Sequence, residues 1–133
     1  MSETHETIEI AKTVDLDYDT AIEKITAALN AEGFGILTEI DVKETLKKKL
    51  NVDFERYKIL GACNPPFAKK ALDIDRSVGT LLPCNVYVQE LGPNSTKVSA
   101  IDPLKMFQVL PIKELESVAQ EIKERLTRAV NSL

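Results

Sequence analysis

Five stretches of the sequence are rich in β-branched and other apolar residues, and turn-forming residues bound most of them. Short apolar runs of this kind are typical of β-strands. We therefore predict strands over residues 7–14, 34–40, 56–63, 84–91 and 96–101. The sequence Gly-Pro-Asn-Ser between the last two strands predicts a turn, so these two strands are expected to form a hairpin.

Helical spacing of apolar residues, together with capping residues, predicts four helices between and after the strands. Asp17 is a suitable N-cap for the first helix, and Gly33 stands where a left-handed C-cap belongs. Pro111 is suited to the first turn of the last and longest helix. The helices are predicted over residues 18–32, 42–50, 67–72 and 112–131.

Strands that alternate with helices and end in a hairpin predict an α+β fold. We expect a single two-layer domain, with a mixed five-stranded sheet and helices mainly on one face. A chain of 133 residues can bury one hydrophobic core, and the sequence has no repeat or linker-like stretch. The domain should therefore span residues 1–133, with residues 1–6 as a mobile terminus.

The second predicted strand carries apolar residues on both sides, with Phe34, Ile36 and Ile40 on one and Leu37 on the other. The predicted helices suffice to cover about one face of a five-stranded sheet. Apolar side chains on the other face need a second covering layer. We therefore predict a homodimer that buries part of the open face or an edge of the sheet.

Charge and composition exclude several classes of function. The net charge is -4, so the chain lacks the basic surplus on which nucleic-acid binding depends. No apolar stretch approaches the roughly 18 residues of a membrane span, and the polar start does not resemble a signal peptide. The count of two cysteines favours a cytoplasmic protein without disulfides. Together, these observations predict a protein with neither nucleic-acid nor membrane partners.

Two cysteines stand beside asparagines at strand ends: Cys63 precedes Asn64, and Cys84 precedes Asn85. If their strands are antiparallel neighbours, the two thiols share one rim of the sheet; if the strands are parallel, the thiols lie at opposite ends. Two thiols and the outlying His5 are too few for a closed zinc site, which takes four ligands. The cysteines could hold a soft ion such as Cu(I), act as a redox pair, or simply be buried in the core.

A group of charged residues is predicted near strand ends. Glu39 and Asp41 face the same side of a strand, Lys43 follows, and Asp102 ends another strand before a proline. Such a cluster could perform acid/base chemistry or bind a polar ligand. The favoured interpretation is structural, with Asp41 as a helix cap, Asp102 as a turn residue, and Glu39 and Lys43 as a surface pair. The sequence has no phosphate-binding loop, and a single histidine argues against a hydrolytic triad.

Four blocks of the sequence together resemble a known family. They read GFGILTEIDVK at residues 33–43, YKILGACNPP at 57–66, LLPCNV at 81–86 and SAIDP at 99–103. These blocks resemble the bacterial and archaeal family named "domain of unknown function 302". The resemblance implies a small α+β domain that tends to form dimers, and it implies no established activity. The resemblance adds weight to a candidate site in which all of these residues share one rim of the sheet, because they fall within the blocks: Glu39, Asp41, Lys43, Cys63, Asn64, Cys84, Asn85 and Asp102.

The leading functional hypothesis is a dimeric binding module for a small ligand or a soft metal ion. Its site would lie at a rim of the sheet near the two Cys-Asn segments, with Cys63 and Cys84 as the metal ligands. One alternative is an enzyme that uses a cysteine thiol, or Glu39 and Asp41 as an acid/base pair. Another is a structural or interaction protein without a small-molecule site. The sequence identifies no cofactor and no catalytic residue.

Overall fold

The computed structural model describes residues 7–133, which form one layer of strands and one layer of helices. The prediction of a mobile terminus and His5 both lie outside the described residues. The strands are β1 (Glu9–Val14), β2 (Gly35–Asp41), β3 (Tyr57–Cys63), β4 (Cys84–Gly92) and β5 (Ser95–Ile101). The helices are α1 (Tyr18–Ala31), α2 (Val42–Leu50), α3 (Pro65–Ile74), α4 (Pro103–Phe107) and α5 (Leu115–Asn131), and a 3-10 helix spans Arg76–Leu81.

The five strands form one sheet in the order β1-β5-β4-β3-β2, and every neighbouring pair is antiparallel. The α+β class and the five-stranded sheet are confirmed, but the prediction of a mixed sheet was wrong. The helical connections after β2 and β3 each begin and end at the same rim of the sheet. Neither is therefore a crossover of the kind that joins parallel strands.

One face of the sheet carries the hydrophobic core. Leu60, Val86 and Val98 project from this face and are at most 1% exposed. Helix α5 contacts α1 and α3 above it, and Ile25 and Leu126 are fully buried there. We call this the covered face and the opposite one the open face. The predicted placement of the helices, mainly on one face, is confirmed.

A β-bulge in β2 changes which residues share a face. The register shifts between Ile36, which lies opposite Ala62, and Thr38, which lies opposite Gly61. Because one extra residue reverses the alternation of side chains, Ile36 lies on the covered face and Ile40 on the open face. The sequence-based grouping of Ile36 with Ile40 was therefore wrong.

The capping residues act as predicted, whereas some helix boundaries differ. Asp17 accepts a hydrogen bond from the Thr20 amide, and Gly33 has a φ of 90° after α1. Helix α3 begins two residues before the predicted start because proline fits the first turn of a helix. Helix α5 begins at Leu115, three residues after the predicted start, and the sequence reading missed α4 and the 3-10 helix. Among the described residues, no helix combines the length and apolar character needed to cross a membrane.

Candidate functional site

The predicted site residues lie in two separate parts of the sheet. Cys84 is the first residue of β4 and lies beside Ala62, so both cysteines are at one rim. Asp41 lies opposite Lys58, five residues along β3 from Cys63. At about 3.3 Å per residue, these positions are about 17 Å apart. The expectation that the carboxylates of β2 share one rim with the cysteines was therefore wrong. We call the rim that carries Cys63 and Cys84 the cysteine rim.

A cavity of about 250 Å³ opens between the cysteine rim, α3 and α5. Its wall contains no charged side chain, and Asn64 is the one polar amide in it. Aromatic rings from three parts of the fold and the aliphatic side chain of Ile122 contribute to its wall. The lining residues are Phe34, Leu37, Ala62, Cys63, Asn64, Phe67, Ala68, Ala71, Leu82, Pro83, Cys84, Phe107 and Ile122.

The two thiols border this cavity and differ in exposure. Cys84 is 4% exposed, whereas Cys63 is half-buried, and both are free. Burial raises the pKa of the Cys84 thiol to about 12, and the nearby Cys63 adds to the rise. Because thiolates rather than thiols act as nucleophiles and metal ligands, the Cys84 thiol is unreactive at neutral pH.

The two asparagines of the Cys-Asn segments point to different surroundings. Asn64 is 7% exposed, and its Nδ2 donates to the main-chain oxygen of Glu32 at 3.3 Å, at the end of α1. It stands at the N-cap of α3 but makes no side-chain capping bond. Asn85 is exposed and borders a separate depression on the open face. The structure therefore brings Asn64, but not Asn85, to the cavity with the cysteines.

Asp102 lies at the end of β5 and holds local structure together. Its carboxylate accepts from the Leu104 amide at 3.0 Å as the N-cap of α4, and it pairs with Lys123 Nζ at 3.1 Å. Its own amide donates to the main-chain oxygen of Ile8 at 2.7 Å. These contacts connect β5 to α4, α5 and the chain before β1. They extend the predicted turn role of Asp102 to that of a helix cap.

The charged group at the other end of the sheet is also occupied in structural contacts. Asp41 accepts from the Glu44 amide at 2.9 Å, as predicted for a cap. Glu39 pairs with Lys58 at 3.4 Å rather than with Lys43, and Lys43 donates to the main-chain oxygen of Phe54 at 2.9 Å. Lys58 takes the place predicted for Lys43 as the partner of Glu39, because Lys58 lies on the neighbouring strand β3. Glu39 and Asp41 face the same side of β2 as expected, but only Asp41 borders a depression, which it shares with residues of α2 such as Lys43 and which Glu39 does not line.

Within residues 7–133, no three or more His, Cys, Asp or Glu side chains come together as a metal-binding group. A metal held by Cys63 and Cys84 would therefore have to rely on the two thiols.

Sequence reasoning missed most of the cavity wall. Phe67, Ala71 and Ile122 line it from α3 and α5, and Phe107 lines it from α4. Phe67, Ala71 and Ile122 read in the sequence as ordinary apolar positions of predicted helices, and Phe107 lies in a helix that was not predicted. No local signal distinguishes them, because the cavity arises only where these helices meet the rim of the sheet.

A two-layer α+β domain with an open antiparallel sheet and an apolar cavity at one rim is the class of protein that the fold defines. The family model "Domain of unknown function DUF302" matches residues 10–133, and the chain belongs to this family. The chain is also similar to a solved structure, the crystal structure of an uncharacterized conserved protein DUF302 from Bacillus stearothermophilus. The two are 28% identical with a TM-score of 0.87, over 95% of this chain and 98% of the other. No curated protein matches the sequence.

Proposed function

We propose that this protein is a binding module for a small, largely apolar molecule, held in the cavity at the cysteine rim. The observation that carries the proposal is the almost wholly apolar lining of this cavity between three helices and the sheet. Apolar cavities with a few polar groups are the usual form of small-molecule sites.

The cavity volume limits the size of the ligand. An engineered apolar cavity of about 150 Å³ holds benzene, so a cavity of about 250 Å³ accommodates about ten non-hydrogen atoms. Asn64 supplies the polar group that would orient such a molecule. The molecule would be smaller than most nucleotide cofactors, whose charged phosphates also find no partner in this lining.

The chemistry of the lining favours a small molecule over the other hypotheses. A soft metal ion requires deprotonated thiols, and burial holds Cys84 in its protonated form. The same protonation disfavours an enzyme with Cys84 as nucleophile, and Glu39 and Asp41 are engaged with Lys58 and the α2 N-terminus. Elemental analysis of purified protein, with the Cys63→Ser, Cys84→Ser double variant as control, tests the metal hypothesis. A metal present in the wild type and lost in the double variant would favour it.

A cavity-filling substitution tests the proposal. Ala68 lines the cavity, and Ala68→Phe would place a ring in it, whereas Ala31→Phe adds the same ring at an exposed position of α1. The neutral probe 1-octanol should raise the melting temperature of the wild type and of Ala31→Phe but not of Ala68→Phe. Equal effects on all three proteins, or no binding to the wild type, would contradict the proposal and favour a purely structural or interaction role.

We further propose that the protein forms a homodimer through the open face. A row of residues crosses this face on all five strands, and its members are Ile40, Ile59, Tyr87, Ser99 and Ala11. The rings of Tyr57 and Tyr87 stack there at 5.0 Å, and Ile40 is 49% exposed. Apolar and aromatic surface on a flat face supports association with a second copy.

Sedimentation velocity across a wide concentration range tests the dimer. Ile59→Lys should dissociate it, because the substitution places a charge in the middle of the open face. Val109→Lys also introduces a charge at an exposed apolar position, between α4 and α5, which pack against each other, and it should leave the dimer intact. A wild-type monomer at every concentration would contradict the proposal. The cytoplasmic location stays a prediction from the sequence.

A further inference from the structure

Two cations lie against one wall of the cavity at the cysteine rim. Phe67 forms part of that wall, and its ring centre is 5.2 Å from Lys70 Nζ and 5.2 Å from Arg125 Cζ. Lys70 precedes the lining residue Ala71 on α3, and Arg125 lies one turn after the lining residue Ile122 on α5. Neither cation lines the cavity itself, but both lie against the ring of Phe67, which does, and they come from the two helices that contribute to its wall.

These positive charges are only partly compensated by the described residues. Arg125 pairs with Glu121 at 3.3 Å and donates to the main-chain oxygen of Glu32 at 3.1 Å. Lys70 forms no ion pair within residues 7–133, whereas its neighbour Lys69 pairs with Asp73 at 2.6 Å. Because Glu121 compensates Arg125 and the cavity wall contains no carboxylate, the uncompensated positive charge beside Phe67 is that of Lys70.

The two cations lie within about 10 Å of each other, because each is 5.2 Å from the centre of the same ring. At physiological salt, with a Debye length of about 8 Å, their mutual repulsion at such a distance is largely screened, whereas a charged group bound close to either cation still interacts with it. An anionic group bound beside Phe67 would interact favourably with both. A cationic group at the same place would be repelled by both.

We infer that the ligand of this cavity is an anionic amphiphile, with an apolar body of about ten non-hydrogen atoms or fewer in the cavity and an acidic head group beside Lys70 and Arg125. This inference rests on the proposed function and adds the charge of the ligand to it. A medium-chain carboxylate has this form, since its chain fills an apolar space and its head group carries one negative charge.

Three probes with the same alkyl chain test the inference. Octanoate, 1-octanol and octylammonium differ in head-group charge, and calorimetric titration of the full chain measures their dissociation constants. Octanoate should bind most tightly and octylammonium least. Lys70→Gln should weaken octanoate binding by about two- to fivefold, the range of an exposed ion pair, and should leave octanol binding unchanged.

Lys69→Gln is the matched control, because it removes the same charge from the neighbouring position of α3, where the lysine is paired with Asp73. It should leave the preference for octanoate intact. If octanol and octanoate bind equally well, or if Lys69→Gln and Lys70→Gln weaken octanoate alike, the inference is wrong while the proposed function stands. If none of the three probes binds, the proposed function itself fails.

Discussion

The Tyr87 hydroxyl donates a 2.6 Å hydrogen bond to Oε1 of Glu9 across the open face of the sheet. Ser99, on the strand between them, donates to the same oxygen at 2.6 Å. Lys97 Nζ lies 3.6 Å from the other carboxylate oxygen and 5.6 Å from the centre of the Tyr87 ring. One carboxylate thus connects three strands on a face without covering helices.

The first prediction concerns the stability of the protein in acid. The hydrogen bonds from Ser99 and Tyr87 hold the pKa of Glu9 below its usual range. A carboxyl whose pKa is lowered by folding stabilises the folded state above its unfolded pKa, and this contribution is lost as the pH falls through the folded pKa. Glu9→Gln should therefore reduce the free energy of unfolding at pH 7, and the difference from wild type should shrink towards pH 3.

Urea unfolding at both pH values measures this effect. Tyr87→Phe removes one donor to Glu9 and should weaken the acid dependence in part. Tyr57→Phe is the control, because it keeps the stacked ring and removes a hydroxyl that does not contact Glu9. An equal loss from Glu9→Gln at both pH values would show that the network does not depend on the charge of Glu9.

The second prediction concerns Gly61, which lies where β2, β3 and the segment before β4 come close together. A Cβ at this position would overlap Thr38 Oγ1 and lie 2.8 Å from Pro83 Cγ. Because Thr38 is held by β2 and Pro83 by the segment that leads into β4, Gly61→Ala should reduce the free energy of unfolding by about 2 kcal/mol. Gly79→Ala, with open space around its Cβ, should be neutral or slightly stabilising. Chemical denaturation compares the two, and equal stability of both variants would contradict the close approach.

The third prediction concerns the reactivity of Cys84. With a pKa of about 12, about one thiol in ten thousand is ionised at pH 8. In the Cys63→Ser variant, iodoacetamide should therefore modify Cys84 at least about a hundred times more slowly in the folded protein than in denaturant. Mass spectrometry over time gives both rates. Rapid modification of the folded variant would mean that Cys84 is accessible and ionised, and it would restore the nucleophile hypothesis.

The fourth prediction concerns the main-chain oxygen of Glu32 at the end of α1. It accepts hydrogen bonds from Asn64 Nδ2 at 3.3 Å and from Arg125 Nη1 at 3.1 Å. Asn64→Ala should lower the free energy of unfolding by only about 1 kcal/mol, because the oxygen keeps its second donor. Combining it with Arg125→Met removes both donors. The double variant should lose more than the two single losses together, and additive losses in denaturant titrations would contradict this coupling.

Local sequence signals predicted most of the elements and failed at particular helix starts. Asp17 and Asp41 cap helices as expected, because a capping side chain bonds to amides only a few residues away. The short helix α4 was missed although Asp102 and Pro103 are good cap and first-turn residues. Its five residues are too few to show helical spacing, and its stability depends on contacts with α5.

The candidate site was predictable only in part. Cys63 and Cys84 were recognised as residues that meet if their strands are antiparallel, and the register of β3 with β4 meets that condition. The expected association with Glu39 and Asp41 failed, because these residues come near the end of one strand while the cysteines lie at the opposite rim. Because β2 and β3 are antiparallel, the last residues of the two strands lie at opposite rims of the sheet. Parallel strands would have brought them to the same rim, and the sequence does not show which direction a strand takes.

The sequence alone determined the α+β class, the five strands, the main helices and the family resemblance, because these depend on local spacing, capping and turn residues. Tertiary structure decided the antiparallel order of the strands, the bulge that places Ile40 on the open face, and the cavity with its two cations beside Phe67. These features arise from contacts between segments far apart in the chain. Such contacts are governed by packing and register, for which no short stretch of sequence carries a signal.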